Sequence, residues 1–359
     1  MKNWNETTQV TRRLRELMQE GKRAALATVI AVKGSTYRRE GAKLLIEPDG
    51  TLVGNVSGGC LEADLRERAM EVLHTGAPAR IEYDTSDDDN TLWGLGMGCN
   101  GVVDLFVQEV DPFRHQALPE RLIEQLGGNE PFRWSVRLSP QEGRGAILLS
   151  GEGGVLGAFP ADAPVPFIPL SAAKEGSAIL DVGEQSFFSE YLAPPPFLVV
   201  CGGGEDAVPL VDMAAQAGFR VVVADHRAAY IRADLFPRAS AIVQCRAEDE
   251  ETYLPFDRAC YVVVKMHHTR HDAAWLRRAA AGQARYIGLL GPRARRDVLF
   301  DKMDLANDPR VFGPVGLDLG AEGSEQIAVS IVAEMLAVHA ARPPRHLRER
   351  DGPMHETVA

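Results

Sequence analysis

An α/β chain in two parts, an α+β N-terminal domain followed by a doubly wound parallel sheet, is predicted by three observations. After one amphipathic helix, short apolar runs joined by turn residues fill the first half. From Phe197 onward, apolar runs and helical stretches alternate one for one. Between the halves stands Pro194-Pro195-Pro196, which favours an extended segment and continues neither a helix nor a central strand. The expected divisions are a first domain over 1–193, in which 111–193 is a strand-rich extension, a second over 197–340, and a loose tail over 341–359.

Val10, Leu14, Leu17 and Met18 give the first helix its apolar face. Strands are expected at Ala25–Val32, Lys43–Glu47, Leu52–Val56, Arg80–Tyr83 and Val102–Val107, with Pro48-Asp49-Gly50 turning one hairpin. The extension adds runs at Arg133–Leu138, Ala146–Leu149 and Val155–Phe159. In the second half, strands are expected at Phe197–Cys201, Arg220–Ala224, Ala241–Cys245, Cys260–Val264 and Arg285–Leu290. The helix after the first of them closes at Gly218, and a final helix runs over Ser324–His339.

At 359 residues and 45% hydrophobic, the chain is long enough for two cores. A formal charge of -11 argues against nucleic acid as a partner, because such binding draws on phosphate neutralisation. No run is long enough to span a bilayer, and the charged N-terminus is unlike a signal peptide, so a cytoplasmic protein is expected. Five cysteines at spacings of 39, 102, 44 and 15 fit neither a disulfide framework nor a short-spaced zinc site.

Two of those cysteines share an unusual setting: Ser57-Gly58-Gly59-Cys60-Leu61-Glu62 and Gly94-Leu95-Gly96-Met97-Gly98-Cys99-Asn100-Gly101. Glycine lets the backbone approach a ligand closely, so each thiol reads as loop-presented. Leu61, Leu65, Val72 and Leu73 then fall on one helical face, so Cys60 is expected to open a helix whose N-terminus favours a thiolate. The alternative is that Cys60 is a small apolar filler.

In the second half, Gly202, Gly204 and Ala207 keep the G-x-G-x-x-G/A spacing between strand and helix, with Asp225 ending the next strand, a pattern that suits a dinucleotide. Glu205 and Asp206 sit in the phosphate turn itself. Two like charges ~5 Å apart at an effective dielectric of ~20 repel by roughly 3 kcal/mol, so a phosphate there would need a divalent cation, unless the acids are ordinary first-turn charges. His267, His268 and His271 follow the fourth strand, at the sheet edge where open α/β folds bind ligands, and His267 and His271 have the spacing to share a metal. The alternative is capping or hydrogen bonding. An NAD(P)-dependent oxidoreductase and a non-catalytic binding module therefore both stay open on the residues alone.

Gly34-Ser35-Thr36, Arg38, Gly41-Ala42-Lys43 and the two cysteine loops resemble the N-terminal domain of the XdhC/CoxI family. Asp225-His226-Arg227, Tyr286 to Arg293 with Gly291, and Gly313 to Ala321 running into Ile327 to Ile331 resemble its C-terminal Rossmann domain. The chain departs from the common pattern at Met97-Gly98-Cys99-Asn100-Gly101, where many members have Cys-Gly-Gly, and at Glu205-Asp206, where others carry His-Val. The resemblance implies a molybdenum-cofactor (molybdopterin) chaperone, working as a homodimer. It would protect the cofactor, assist its sulfuration together with a cysteine desulfurase, and pass it to an apo-molybdoenzyme of the xanthine dehydrogenase family. It also implies that Cys60 and Cys99 meet the molybdenum end. Gly34, Ser35, Arg38, Lys43, Ser57, Gly58, Gly59 and Gly98 would complete the N-terminal site. Gly202, Gly204, Asp206, Asp225, Arg227, His267, His268, Gly291 and Arg293 would form the C-terminal one.

Overall fold

The computed structural model describes residues 4–84, 100–173, 176–249, 251–256 and 260–349, and the chain parts into two compact units, Met1–Pro194 and Pro195–Ala359. In the first, helix α1 (Trp4–Gln19) precedes β1 (Ala24–Ser35), β2 (Lys43–Ile46), β3 (Leu52–Gly54), α2 (Glu62–Thr75), β4 (Ala79–Asp84) and β5 (Asn100–Val110). These strands form one antiparallel sheet in the order β3-β2-β1-β5-β4. Then come α3 (Leu118–Gly127), β6 (Phe132–Ser139), β7 (Ile147–Gly151), β8 (Gly154–Phe159), β9 (Ser177–Val182) and β10 (Gln185–Leu192), whose strands build a second antiparallel sheet, β8-β7-β6-β10-β9.

The period-2 pattern of β1 and β5 decides the packing. Leu26, Ile30, Phe106 and Val110 point into a core shared with α1, α3 and Trp134 and Phe188 of the second sheet. Ala25, Ala27, Val29, Leu105 and Val107 point the other way, onto Leu65, Ala69, Val72 and Leu73 of α2. The first sheet is therefore buried on both faces, and each large side chain so buried contributes about 1.5–3 kcal/mol. Helix α2 stops at Gly76, which takes φ +67° and closes the last turn by donating its N–H to Val72 O.

The second unit runs β11 (Phe197–Cys201), α4 (Val208–Gln216), β12 (Arg220–Asp225), β13 (Ala241–Gln244), β14 (Tyr261–Val264), α5 (Thr269–Ala281), β15 (Tyr286–Leu289), α6 (Arg293–Met303), β16 (Val311–Phe312) and α7 (Gly323–His339). All strands are parallel, in the order β13-β12-β11-β14-β15-β16. The order reverses between β11 and β14, which makes the carboxyl ends of those two strands the crevice of this sheet. Residues 341–349 are mostly exposed, and the rest of the expected tail lies outside the described residues.

Strands β9, β10 and β16 and helix α3 are elements that the sequence pattern does not announce. Strand β10 reads Gln-Ser-Phe-Phe-Ser-Glu-Tyr-Leu, and its buried Ser189 and Glu190 break the apolar signal because each has a polar partner inside the protein.

Candidate functional site

In the first unit, three segments meet at the end of β1. The loop 36–42 returns the chain to β2. The turn 55–61 leads from β3 into α2, and a Cβ on its Gly58 would lie 3.9 Å from the Tyr37 ring. The β1–β5 register sets Asn100, the residue after Cys99, opposite Ser35. Cys99 and Gly98 themselves lie outside the described residues.

Ser57 builds the thiol turn. Its hydroxyl accepts the N–H groups of Gly59 (3.1 Å) and Leu61 (3.3 Å) and donates to Glu62. Gly59 takes φ +105°, a conformation that favours glycine, and nothing stands within 4 Å of where its Cβ would be. Cys60 does not open α2, because the helix starts at Glu62 with Leu61 as its N-cap residue. Its side chain is half-buried against the core beneath α2, so the sulfur packs as an apolar filler on one side while the turn leaves it partly open on the other. In the segments that meet here, Asn55 Oδ1, Glu62 Oε1 and Arg39 Nε are buried and have no hydrogen-bond partner among the described residues.

Two basic residues of this region are already committed internally. The Lys43 ammonium, on a residue 2% exposed, is held by the Glu190 carboxylate and by Gly41 O (2.9 Å), over the Trp134 ring. Arg38 pairs with Glu6, which also accepts the Lys43 N–H at 3.0 Å. Burial pushes the Glu6 carboxyl above its usual range despite both donors. Of the two basic residues expected in the N-terminal site, Lys43 is a buried internal counter-ion, while Arg38 is tied to Glu6 and stays partly exposed; both fix the loop that carries Tyr37.

In the second unit, the glycine turn is shaped by close backbone contact. Gly202 takes φ +120°, and a Cβ there would lie 2.6 Å from Lys265 O. Asp225 is wholly buried and saturated. One oxygen accepts the N–H and Nε of Arg227, and the other accepts Gly203 N–H and Arg227 Nη2. Burial raises the Asp225 carboxyl, but these donors outweigh it and hold the group below its usual range. With every acceptor direction used, Asp225 does not offer the ribose contact expected of a dinucleotide site.

Asp206 is also engaged, although it stays partly exposed. Its oxygens meet Lys265 Nζ at 2.7 Å and His267 Nε2 at 2.9 Å. Burial opposes its charge, and Lys265 and His267 more than compensate, so the carboxyl titrates below its usual range. A lysine buried at the end of β14 thus supplies a positive charge beside Asp206, one of the two acids for which a bridging cation was expected. Asp272, fully buried, accepts Met266 N–H at 3.0 Å and fixes the bend that sends His267 into φ +56°.

His267 and His271 do not come together. His267 faces Asp206, whereas the His271 ring lies tilted against His226, centroids 4.5 Å apart, and 4.9 Å from the ring of His268, the N-cap residue of α5. Burial and the two neighbouring imidazoles depress the pKa of His271. Among the described residues no His, Cys, Asp and Glu cluster has the arrangement of a metal site.

Gly291 and Arg293 line a cavity of 760 Å³ together with the loop 314–322 and Ile327 and Ser330 of α7. Glu334 anchors that loop by accepting Gly316 N–H (3.1 Å) and the Tyr286 hydroxyl, and Ser330 donates to Leu317 O at 2.6 Å. Sequence reasoning missed Lys265, Asp272, Glu334 and Tyr37. A lysine ending the apolar run Tyr261-Val262-Val263-Val264 was a usable signal for the first, since a charge at the end of a buried strand needs a partner.

Residues 17–84 match the XdhC and CoxI family and residues 198–335 match the XdhC Rossmann domain. The chain is 32% identical over 323 residues to a Bacillus subtilis (strain 168) protein described as a probable subunit of xanthine dehydrogenase, spanning 89% of this chain and 94% of that one. It is 23% identical over 332 residues to the Escherichia coli (strain K12) molybdenum cofactor insertion chaperone PaoD, spanning 90% of this chain and 86% of that one. Among solved structures it resembles a crystal structure of a xanthine dehydrogenase from Bacillus halodurans, with a TM-score of 0.75 and 31% identity over 93% of this chain and 96% of that one.

Proposed function

The chain belongs to the XdhC and CoxI family, and from that premise we propose that it is a maturation chaperone for molybdoenzymes, binding the molybdenum cofactor as cargo. It keeps the cofactor from water and oxidants, assists its sulfuration alongside a cysteine desulfurase, and releases it to an apo-enzyme of the xanthine dehydrogenase type. It works as a homodimer in the cytoplasm; among the described residues no helix is long and apolar enough to cross a membrane. The observation that carries this reading is the similarity, over nine-tenths of the chain, to a relative described as a molybdenum cofactor insertion chaperone.

The residues of the first unit fit such a cargo. Molybdenum in a dithiolene is a soft centre, and the half-buried sulfur of Cys60 on an open glycine turn is a soft donor. A pterin ring carries N–H donors along one edge, and the acceptors Asn55 Oδ1 and Glu62 Oε1, without a partner among the described residues, match that chemistry. The saturated Asp225 supports this reading over a dinucleotide oxidoreductase.

The test is to purify the protein anaerobically from cells that make the cofactor and from cells that do not, and to assay molybdenum and, after oxidation, fluorescent pterin. Co-purification from the first source alone, with faster activation of an apo-molybdoenzyme by the loaded protein, is the expected result. Protein free of both molybdenum and pterin, with no effect on activation, overturns the reading.

A further inference from the structure

We propose that Tyr37 is the platform on which the pterin ring of the cargo stacks, with Cys60 holding the metal end; this rests on the function proposed above. Tyr37 is 66% exposed and borders the turn where Gly58 and Gly59 leave a bare surface ahead of the thiol. Its backbone is not free to swing. Thr36 before it is buried and donates to Arg38 O at 2.7 Å, and Arg38 after it is tied to Glu6 on α1. A tyrosine held between two anchored residues presents its face at little entropic cost, which is what a stacking surface needs.

The neighbourhood has the complementary parts. A planar heterocycle lying on Tyr37 over the Gly58-Gly59 backbone meets no side chain at Gly59. The acceptor Glu62 Oε1, two residues beyond Cys60, is buried without a partner among the described residues and suits the N–H edge of a pterin. Asn100, the first residue of β5, pairs with Ser35 two residues before Tyr37, so the start of β5 also lies at the strand end that carries this ring. The division of labour is specific: Tyr37 recognises the heterocycle whether or not metal is present, and Cys60 recognises the metal.

The experiment measures binding of two probes to the full chain under anaerobic conditions, the molybdenum cofactor released from a purified molybdoenzyme and metal-free molybdopterin. Aromatic stacking on a nucleobase-sized ring predicts that Tyr37→Ala weakens both probes roughly 10- to 100-fold, while Tyr37→Phe stays within about threefold of wild type. Cys60→Ala weakens the metal-bearing probe and leaves metal-free molybdopterin nearly unchanged. An unchanged melting temperature in Tyr37→Ala confirms that the loss is not one of folding. If Tyr37→Ala binds metal-free molybdopterin as tightly as wild type, the stacking role is refuted and the chaperone reading stands. If wild type binds neither probe, the chaperone reading falls and takes this assignment with it.

Discussion

Lys265 Nζ lies 2.7 Å from Asp206 Oδ1, on a residue only 2% exposed, and so places a buried positive charge directly behind the acidic glycine turn of the second unit. Burial holds the lysine pKa below the usual ammonium range, with desolvation the main cause. With this pair in place, the Asp206 charge is balanced from within the protein and does not call for magnesium.

Replacing Lys265 by Met is expected to cost about 1 kcal/mol in urea denaturation. This lies below the range for a hydrogen bond to a charged group, because Asp206 is partly exposed and water takes over some of the interaction. In wild type the melting temperature should be the same with magnesium and with excess chelator, whereas in Lys265→Met magnesium should raise it. A magnesium effect in wild type would restore the bridging-cation idea.

Lys43 and Glu190 join the two sheets of the first unit as an ion pair buried on both sides. Removing Lys43 takes away the ammonium that faces the buried Glu190 carboxylate, so Lys43→Met is expected to lose about 3–5 kcal/mol of stability. The double change Lys43→Met with Glu190→Leu should recover most of that. Chemical denaturation of the three variants decides it: a single variant that folds as stably as wild type but loses its cargo would mean that Lys43 serves the ligand after all.

His115 gives a pH signature. Burial pushes its pKa down to about 4, and its Nδ1 accepts Asp111 N–H, which the protonated ring cannot do. The unfolded chain binds a proton near pH 6.5 and the folded one does not until about pH 4, so stability falls as pH drops through that window, by about 3 kcal/mol in all. His115→Gln should flatten the stability curve between those two values. An unaltered slope in the variant would assign the acid sensitivity to other groups.

Cys60→Ala should lower stability by no more than about 1 kcal/mol, because only one side of the thiol packs on the core. The same variant should lose most co-purified molybdenum. A loss of stability of several kcal/mol with molybdenum retained would make Cys60 a core residue and nothing more.

The strand-turn-helix alternation of the second unit was legible because it is local. An apolar run, a glycine turn and an amphipathic helix announce themselves within about thirty residues. The ion pairs were not. Arg38 meets Glu6 and Lys43 meets Glu190, partners 32 and 147 residues away, and from the sequence a basic residue beside a glycine loop reads as a ligand contact when its counter-ion is out of sight. Tyr37 passed unnoticed for the same reason: its neighbour Gly58 is brought to it by the β2–β3 hairpin and not by spacing. The glycines of the thiol turn were legible in type, while the place of Cys60, one residue short of the helix cap, depends on how Ser57 closes the turn.

The central pairing of β1 with β5 has a consequence for how the chain is made. Strand β1 is wedged between a neighbour that follows at once, β2, and one that ends only at Val110, and both its faces lie in cores that need α2 and α3 to close. On the ribosome, the first strand must wait as an exposed apolar ribbon until well over a hundred residues have emerged, the interval in which unpaired strands recruit the wrong neighbours. Slow passage through the segment between α2 and β5 would lengthen that interval, and a holdase that shields Ala24–Ile30 would raise the yield of soluble protein without touching the finished fold.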